Sequence, residues 1–135
     1  MKKVVVTVGM TERNYSAYVN IGDGIAVVTG KTFEELKKQM EEAIEFHLEG
    51  MNEDGDDIPE IFNSDYELVY SFDPESLLRH YSGIFTNAVL ERFTGINQRQ
   101  IQRYASGVSK PRGEQAKKIE KALHDLGKEL LAVEL

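Results

Sequence analysis

Two early runs, residues 3–10 and 15–21, are rich in β-branched and aromatic side chains and are separated by Thr11-Glu12-Arg13-Asn14. Such runs around a short polar segment predict a β-hairpin with a four-residue turn. Gly22-Asp23-Gly24 then punctuates the chain, and Ile25-Ala26-Val27-Val28-Thr29 predicts a third strand. At Thr32-Phe33-Glu34-Glu35 the period changes. Thr32 is placed to accept from the Glu35 amide, and the Glu35 carboxylate to reach back to the Thr32 amide, as in a capping box. Phe33, Leu36, Met40, Ile44, His47, Leu48 and Met51 recur at helical spacing. They predict a helix over residues 33–49 that ends near Gly50. Its opposite face carries Glu34, Lys37, Lys38, Glu41, Glu42, Glu45 and Glu49. Residues 52–64 read as a polar loop, and the alternation in Tyr66-Glu67-Leu68-Val69-Tyr70-Ser71-Phe72 predicts a fourth strand.

Strand character stops at Asp73-Pro74-Glu75, a helix start with Asp at the N-cap, Pro at the first turn and Glu complementing the helix dipole. Helices are predicted over residues 74–81, 86–93, 97–105 and 112–131. The expected fold class is α+β. A β-β-β-α-β antiparallel sheet with one helix occupies residues 1–73, and an all-α domain occupies 74–135. Within the latter, Leu90 and Phe93 are expected to face a small core, Gly95 to supply a positive φ, and Ile96 to plug the turn. Asn97 is placed to cap the next helix, with Ile101 and Tyr104 turned inward. This is helix-turn-helix organisation, in which the second helix enters the major groove of DNA.

Composition changes this picture in one respect. The chain has 135 residues and a net charge of −7, which at first argues against nucleic acid as a partner. The charge is divided, however. Residues 1–73 hold six basic and sixteen acidic side chains, a net of −10, whereas residues 74–135 hold ten and seven, a net of +3. Halves of opposite sign suggest two partners of opposite charge. No apolar run is long enough to span a membrane, and the short β-branched opening reads as a strand rather than a leader. With no cysteine there is no disulfide framework or thiolate zinc site, and the cytoplasm is the expected compartment.

The candidate chemistry follows from these halves. Asn97, Gln98, Arg99, Gln100, Gln102 and Arg103 are expected to cap the short second helix and face outward from it. Gln and Arg carry the forked donors and acceptors that match adenine and guanine edges. Lys110 and Arg112 lie in a basic loop suited to phosphate, and no acidic residue occurs between Gly95 and Gly113. A plainer reading of the same residues is a pair of packed helices with a solvated face.

The segment Gly95-Ile96-Asn97-Gln98-Arg99-Gln100-Ile101-Gln102-Arg103-Tyr104, followed by Gly107, Lys110 and Pro111, is similar to the lambda-repressor and Cro type of helix-turn-helix. It departs at Glu91, where a small residue is usual, and at Thr94, where an apolar one is. Read with it, Tyr15-Ser16-Ala17-Tyr18-Val19, Thr29-Gly30-Lys31-Thr32-Phe33-Glu34-Glu35-Leu36, Glu42-Ala43-Ile44-Glu45-Phe46-His47-Leu48 and Tyr70-Ser71-Phe72-Asp73 resemble the HicB-type antitoxins. Ile21-Gly22-Asp23 and Ala26-Val27 replace the proline and cysteine often found in that family's early segment. The resemblance implies a degenerate ribonuclease H-like domain joined to a DNA-binding domain. Its implied functions are neutralisation of a small basic ribonuclease toxin (HicA-like) and repression of the chain's own operon. Glu34, Glu41, Glu45, Asp54, Asp56 and Asp57 are the acidic candidates for toxin binding, and operator DNA is the second expected partner. A stand-alone regulator whose first domain senses a ligand or dimerises is the alternative.

Catalysis is not expected, because the first three strands carry no carboxylates from which to build a two-metal nuclease centre. Residues 52–57 have a misplaced glycine for a calcium loop, whose twelfth position would be Asn63 rather than Glu. His47, His80 and His124 are isolated, so neither metal nor cofactor is indicated. In the last helix, Ala116, Ile119, Leu123, Leu126 and Leu130 are spaced to cover a core. The apolar tail through Leu131, Val133 and Leu135 suits either that core or a homodimer contact, and a two-fold dimer fits a palindromic operator.

Overall fold

The computed structural model describes residues 1–135, which divide into two compact units, Met1–Asp73 and Pro74–Leu135. The chain is α+β, with one four-stranded sheet and five α-helices. No helix is long and apolar enough to cross a membrane.

The first unit contains β1 (Lys2–Met10), β2 (Tyr15–Ile21), β3 (Gly24–Gly30), α1 (Phe33–Glu53) and β4 (Tyr66–Phe72). Thr11 closes the first hairpin, its amide donating to the Asn14 carbonyl at 2.8 Å and its hydroxyl accepting from the Asn14 amide at 3.1 Å. The strand order is β3-β2-β1-β4. The pairings β1–β2 and β2–β3 are antiparallel, but β4 runs parallel to β1, with Val5 opposite Val69, so the sheet is mixed rather than antiparallel. The reason is topological. β1 and β3 point the same way, and a crossover through a helix returns the chain to the end from which β3 started.

Alternation then places Val4, Val6, Val8, Ala17, Val19, Ile21 and Ala26 beneath α1, where they are buried with Leu36, Met40 and Ile44. Phe33 fastens the first turn of α1 to the sheet. Its ring lies 5.3 Å from Tyr70 in an edge-on arrangement and 5.4 Å from Phe72. Gly30 is needed here because a Cβ would stand 2.9 Å from the Leu36 amide nitrogen. The His47 ring occupies the space a side chain at position 24 would need.

Three local expectations are corrected. The Thr32 hydroxyl accepts from the Glu35 amide at 3.1 Å, but the Glu35 carboxylate accepts from the Lys31 amide at 3.2 Å rather than from Thr32. Helix α1 continues through Gly50 to Glu53, since one interior glycine costs only about 1 kcal/mol and Met51 still packs against the core. Gly55 is the terminator: its φ is +74°, its amide bonds to the Asn52 carbonyl, and the Asp56 amide bonds to the Met51 carbonyl. The segment before β4 is not simply polar either. A 3₁₀ turn, Glu60–Asn63, brings Ile61 and Phe62 against the core, with Phe62 edge-on to Tyr66 at 5.2 Å.

The second unit comprises α2 (Pro74–His80), a 3₁₀ turn at Tyr81–Gly83, α3 (Asn87–Thr94), α4 (Gln98–Ala105) and α5 (Gly113–Leu131). Leu78, Leu90, Ile96, Ile101, Tyr104 and Ile119 form its core, with Leu77, Phe85 and Leu123 packed around it. Phe93, expected inside, is 44% exposed. The inward face of α3 runs instead through Leu90 and Thr94, leaving Phe93 on the rim of an apolar cleft shared with Leu123 and Leu126 of α5. Only the first part of α5 covers the core, and Leu130, Leu131, Val133 and Leu135 are exposed.

Candidate nucleic-acid interface

Helix α4 is set by the residues on either side of it. The Thr86 hydroxyl caps α3 by accepting from the Val89 amide. α3 ends at Gly95, whose φ of +76° is a left-handed conformation that other residues adopt only with strain. Thr94 replaces the expected apolar side chain without leaving a polar orphan. Its hydroxyl donates to the Leu90 carbonyl at 2.7 Å and accepts from the Ile96 amide at 3.0 Å, which stiffens the turn. Ile96 is buried beneath it. Asn97 then caps α4, its side-chain oxygen accepting from the Arg99 amide at 2.8 Å.

Glu91 explains its own departure from the small residue usual at that place. Its carboxylate swings across the gap between the helices and accepts from the Gln98 amide at 2.6 Å, adding a charge-assisted cap to the first turn of α4. Replacing Glu91 with alanine should therefore lower the stability of the second unit by about 0.5–2 kcal/mol. Glu91→Gln, which keeps an acceptor, should lose less; equal urea midpoints for the wild type and Glu91→Ala would refute this role.

Ile101 and Tyr104 are buried, so at 100° per residue the opposite arc of α4 carries Gln98, Arg99, Gln102 and Arg103, all exposed. Gln98 and Gln102 form one i, i+4 ridge, and Arg99 and Arg103 form the next. Neither arginine has a carboxylate within ion-pairing distance, so both guanidinium groups are available to a ligand. Asn87 donates to the Gln102 carbonyl oxygen at 2.7 Å, which orients the Gln102 amide and leaves its NH₂ group to donate. Gln100 is the exception among the sequence candidates. It is half-buried, and its NH₂ group donates to the Ser109 hydroxyl at 3.3 Å, tying α4 to the following loop instead of facing outward.

Lys110 and Arg112 are exposed in that loop, which begins at Gly107 with a φ of +79°. Arg112 immediately precedes α5 and, like Arg99 and Arg103, has no carboxylate within ion-pairing distance. The structure thus brings Asn97, Gln98, Arg99 and Gln102 into one polar depression, joined by Glu91, marked in the sequence only as a departure from the helix-turn-helix pattern, and by Asn87, which was not singled out there. Asn87 was visible only as the second residue of the helix predicted over 86–93, because its bond to Gln102 spans fifteen positions.

The acidic candidates all lie in the first unit. Glu34, Glu41 and Glu45 are exposed along one side of α1, with Glu34 paired to Lys37 at 2.9 Å. Glu41 and Glu34 also help to raise the Tyr70 phenol above its ordinary pKa, although burial is the larger cause. Asp54, Asp56 and Asp57 are exposed at the C-terminal end of the same helix, which has no basic residue in its last turn. Carboxylates there add to the negative end of the helix dipole, an unfavourable arrangement that a cationic partner would relieve.

Comparisons with protein-family models, curated proteins and solved structures gave no match.

Proposed function

We propose that the chain is an antitoxin that also represses its own operon. The observation that carries this reading is the α4 face: Gln98, Arg99, Gln102 and Arg103 project together from a helix capped and braced at its N-terminus, with both arginines free of ion pairs. Such a helix suits the major groove, where Arg matches the O6/N7 edge of guanine and Gln the N6/N7 edge of adenine. Lys110 and Arg112 supply flanking phosphate contacts that fix orientation and register.

The first unit serves the second partner. Its net charge of −10 and the carboxylates gathered along α1 and at its dipole-negative end suit a small, positively charged ribonuclease. Complementary charge of this kind speeds encounter and selects among partners. The β3-β2-β1-β4 order is compatible with a reduced ribonuclease H-like domain whose first three strands carry no carboxylates for catalysis. In this reading the domain binds a nuclease rather than acting as one.

The test is co-expression with a short, basic open reading frame encoded beside the gene. Growth arrest by the neighbour alone, rescue by this chain and co-purification of the two proteins are expected. Absence of both rescue and co-purification would sink the antitoxin half and leave a stand-alone regulator. Gel shifts on upstream DNA judge the other half separately.

A further inference from the structure

The sheet of the first unit has one face under α1 and the other bare. On the bare face Val5, Tyr18, Ile25 and Val27 are 55%, 42%, 53% and 64% exposed. Tyr18 pairs directly with Val27 across β2 and β3 and with Thr7 across β1 and β2, which puts Val5, two positions along β1, diagonal to Tyr18, and Val5 pairs with the half-buried Val69 across β1 and β4. The bordering positions are small or polar, Thr7 and Ser16 among them, and Asp73 stands at the rim of a shallow depression there. Charged side chains on the strands of this face are limited to Lys3 and Glu67, directly opposite each other at one end. The edge strand β3, Gly24–Gly30, carries no charge at all.

This neutral apolar surface belongs to a unit with sixteen acidic residues, of which Glu67 alone lies on these strands facing away from α1. We propose that it is the seat of a second copy of the chain, packed sheet against sheet at the usual spacing of about 10 Å. The occupant follows from charge. Two copies meeting through α1 would set carboxylate against carboxylate, whereas two copies meeting here set apolar surface against apolar surface with the Lys3–Glu67 pairs and Asp73 at the margin. A cationic partner has the opposite preference and is drawn to α1. The two faces are therefore divided between self-association and the acidic site, and both can be occupied at once. Contiguous exposed apolar surface of this kind commonly marks an interaction site.

The proposal concerns self-association alone and is tested without DNA or toxin, so its failure is distinguishable from failure of the functional reading. The mass of the full-length chain is measured by sedimentation equilibrium across a concentration series, for the wild type and for Val27→Glu. The substitution places like charges across the interface at a solvent-exposed position. It should raise the dissociation constant at least tenfold and halve the mass of the assembly at concentrations where the wild type is associated. Ile25→Lys should do the same with a charge of opposite sign, which guards against misfolding of one variant. Phe46→Glu alters the most exposed aromatic residue on α1, 79% accessible, and should leave the mass unchanged. A monomeric wild type, an undiminished mass for both sheet variants, or a halved mass for Phe46→Glu would each overturn the proposal.

Discussion

Replacing Arg99 and Arg103 together with alanine is expected to abolish specific operator binding while leaving the fold intact. A well-placed bidentate contact to a base contributes about 1–3 kcal/mol of discrimination. Losing two should cost roughly 2–6 kcal/mol, or about 30-fold to more than 10⁴-fold in affinity. The fold should persist because both side chains are exposed, make no ion pair and lie opposite the buried Ile101 and Tyr104. Gel shifts at fixed salt, with circular dichroism of the same samples, separate the two effects. Lys110→Ala and Arg112→Ala should behave differently. Each should weaken all sequences alike and reduce the salt dependence by about one counterion. Unchanged affinity in the arginine double variant would remove α4 from the interface, and toxin neutralisation should survive that variant because the acidic candidates lie on the other unit.

The local geometry around α4 was legible in the sequence for a physical reason. Residues acting through backbone conformation or periodicity announce themselves locally: Gly95 by its left-handed turn, Asn97 by its cap, and Ile101 and Tyr104 by their spacing. Residues acting across helices do not. Glu91 reaches Gln98, Asn87 reaches Gln102 and Gln100 is drawn away to Ser109, all through side-chain geometry that a linear pattern cannot encode. The same division holds in the first unit. The strands follow from β-branched runs, but the parallel pairing of β4 with β1 depends on the path of the whole crossover. Helix α1 overruns Gly50 because one interior glycine is a weaker signal than the paired hydrogen bonds at Gly55, Asp56 and their carbonyl partners.

The remaining large effect lies beneath the binding face. Ile101→Ala should also abolish operator binding, but by unfolding the second unit rather than by removing a contact. Ile101 is 1% exposed, among the most buried side chains of the chain, and joins α4 to Leu78, Leu90, Ile96 and Ile119. Truncating a buried isoleucine costs about 2–5 kcal/mol, and a helical unit of this size holds only about 3–5 kcal/mol in all. The variant should therefore be largely unfolded over residues 74–135. The first unit has its own core around Val6, Val8, Ile21, Leu36, Met40 and Ile44, and should remain folded. Urea unfolding followed by helical circular dichroism should show the wild type losing its second-unit signal in a transition already complete without urea in Ile101→Ala. Ile101→Val, which costs about 0.5–1.5 kcal/mol, should restore both fold and binding. Normal helical signal with lost binding would refute the unfolding account, since Ile101 is too buried to touch DNA itself. Retention of both would mean that α4 is not anchored through Ile101. The two losses of binding thus have different signatures: removal of the arginines leaves a stable helix with an inert surface, while removal of the isoleucine leaves intact arginines on a helix with nothing to hold it.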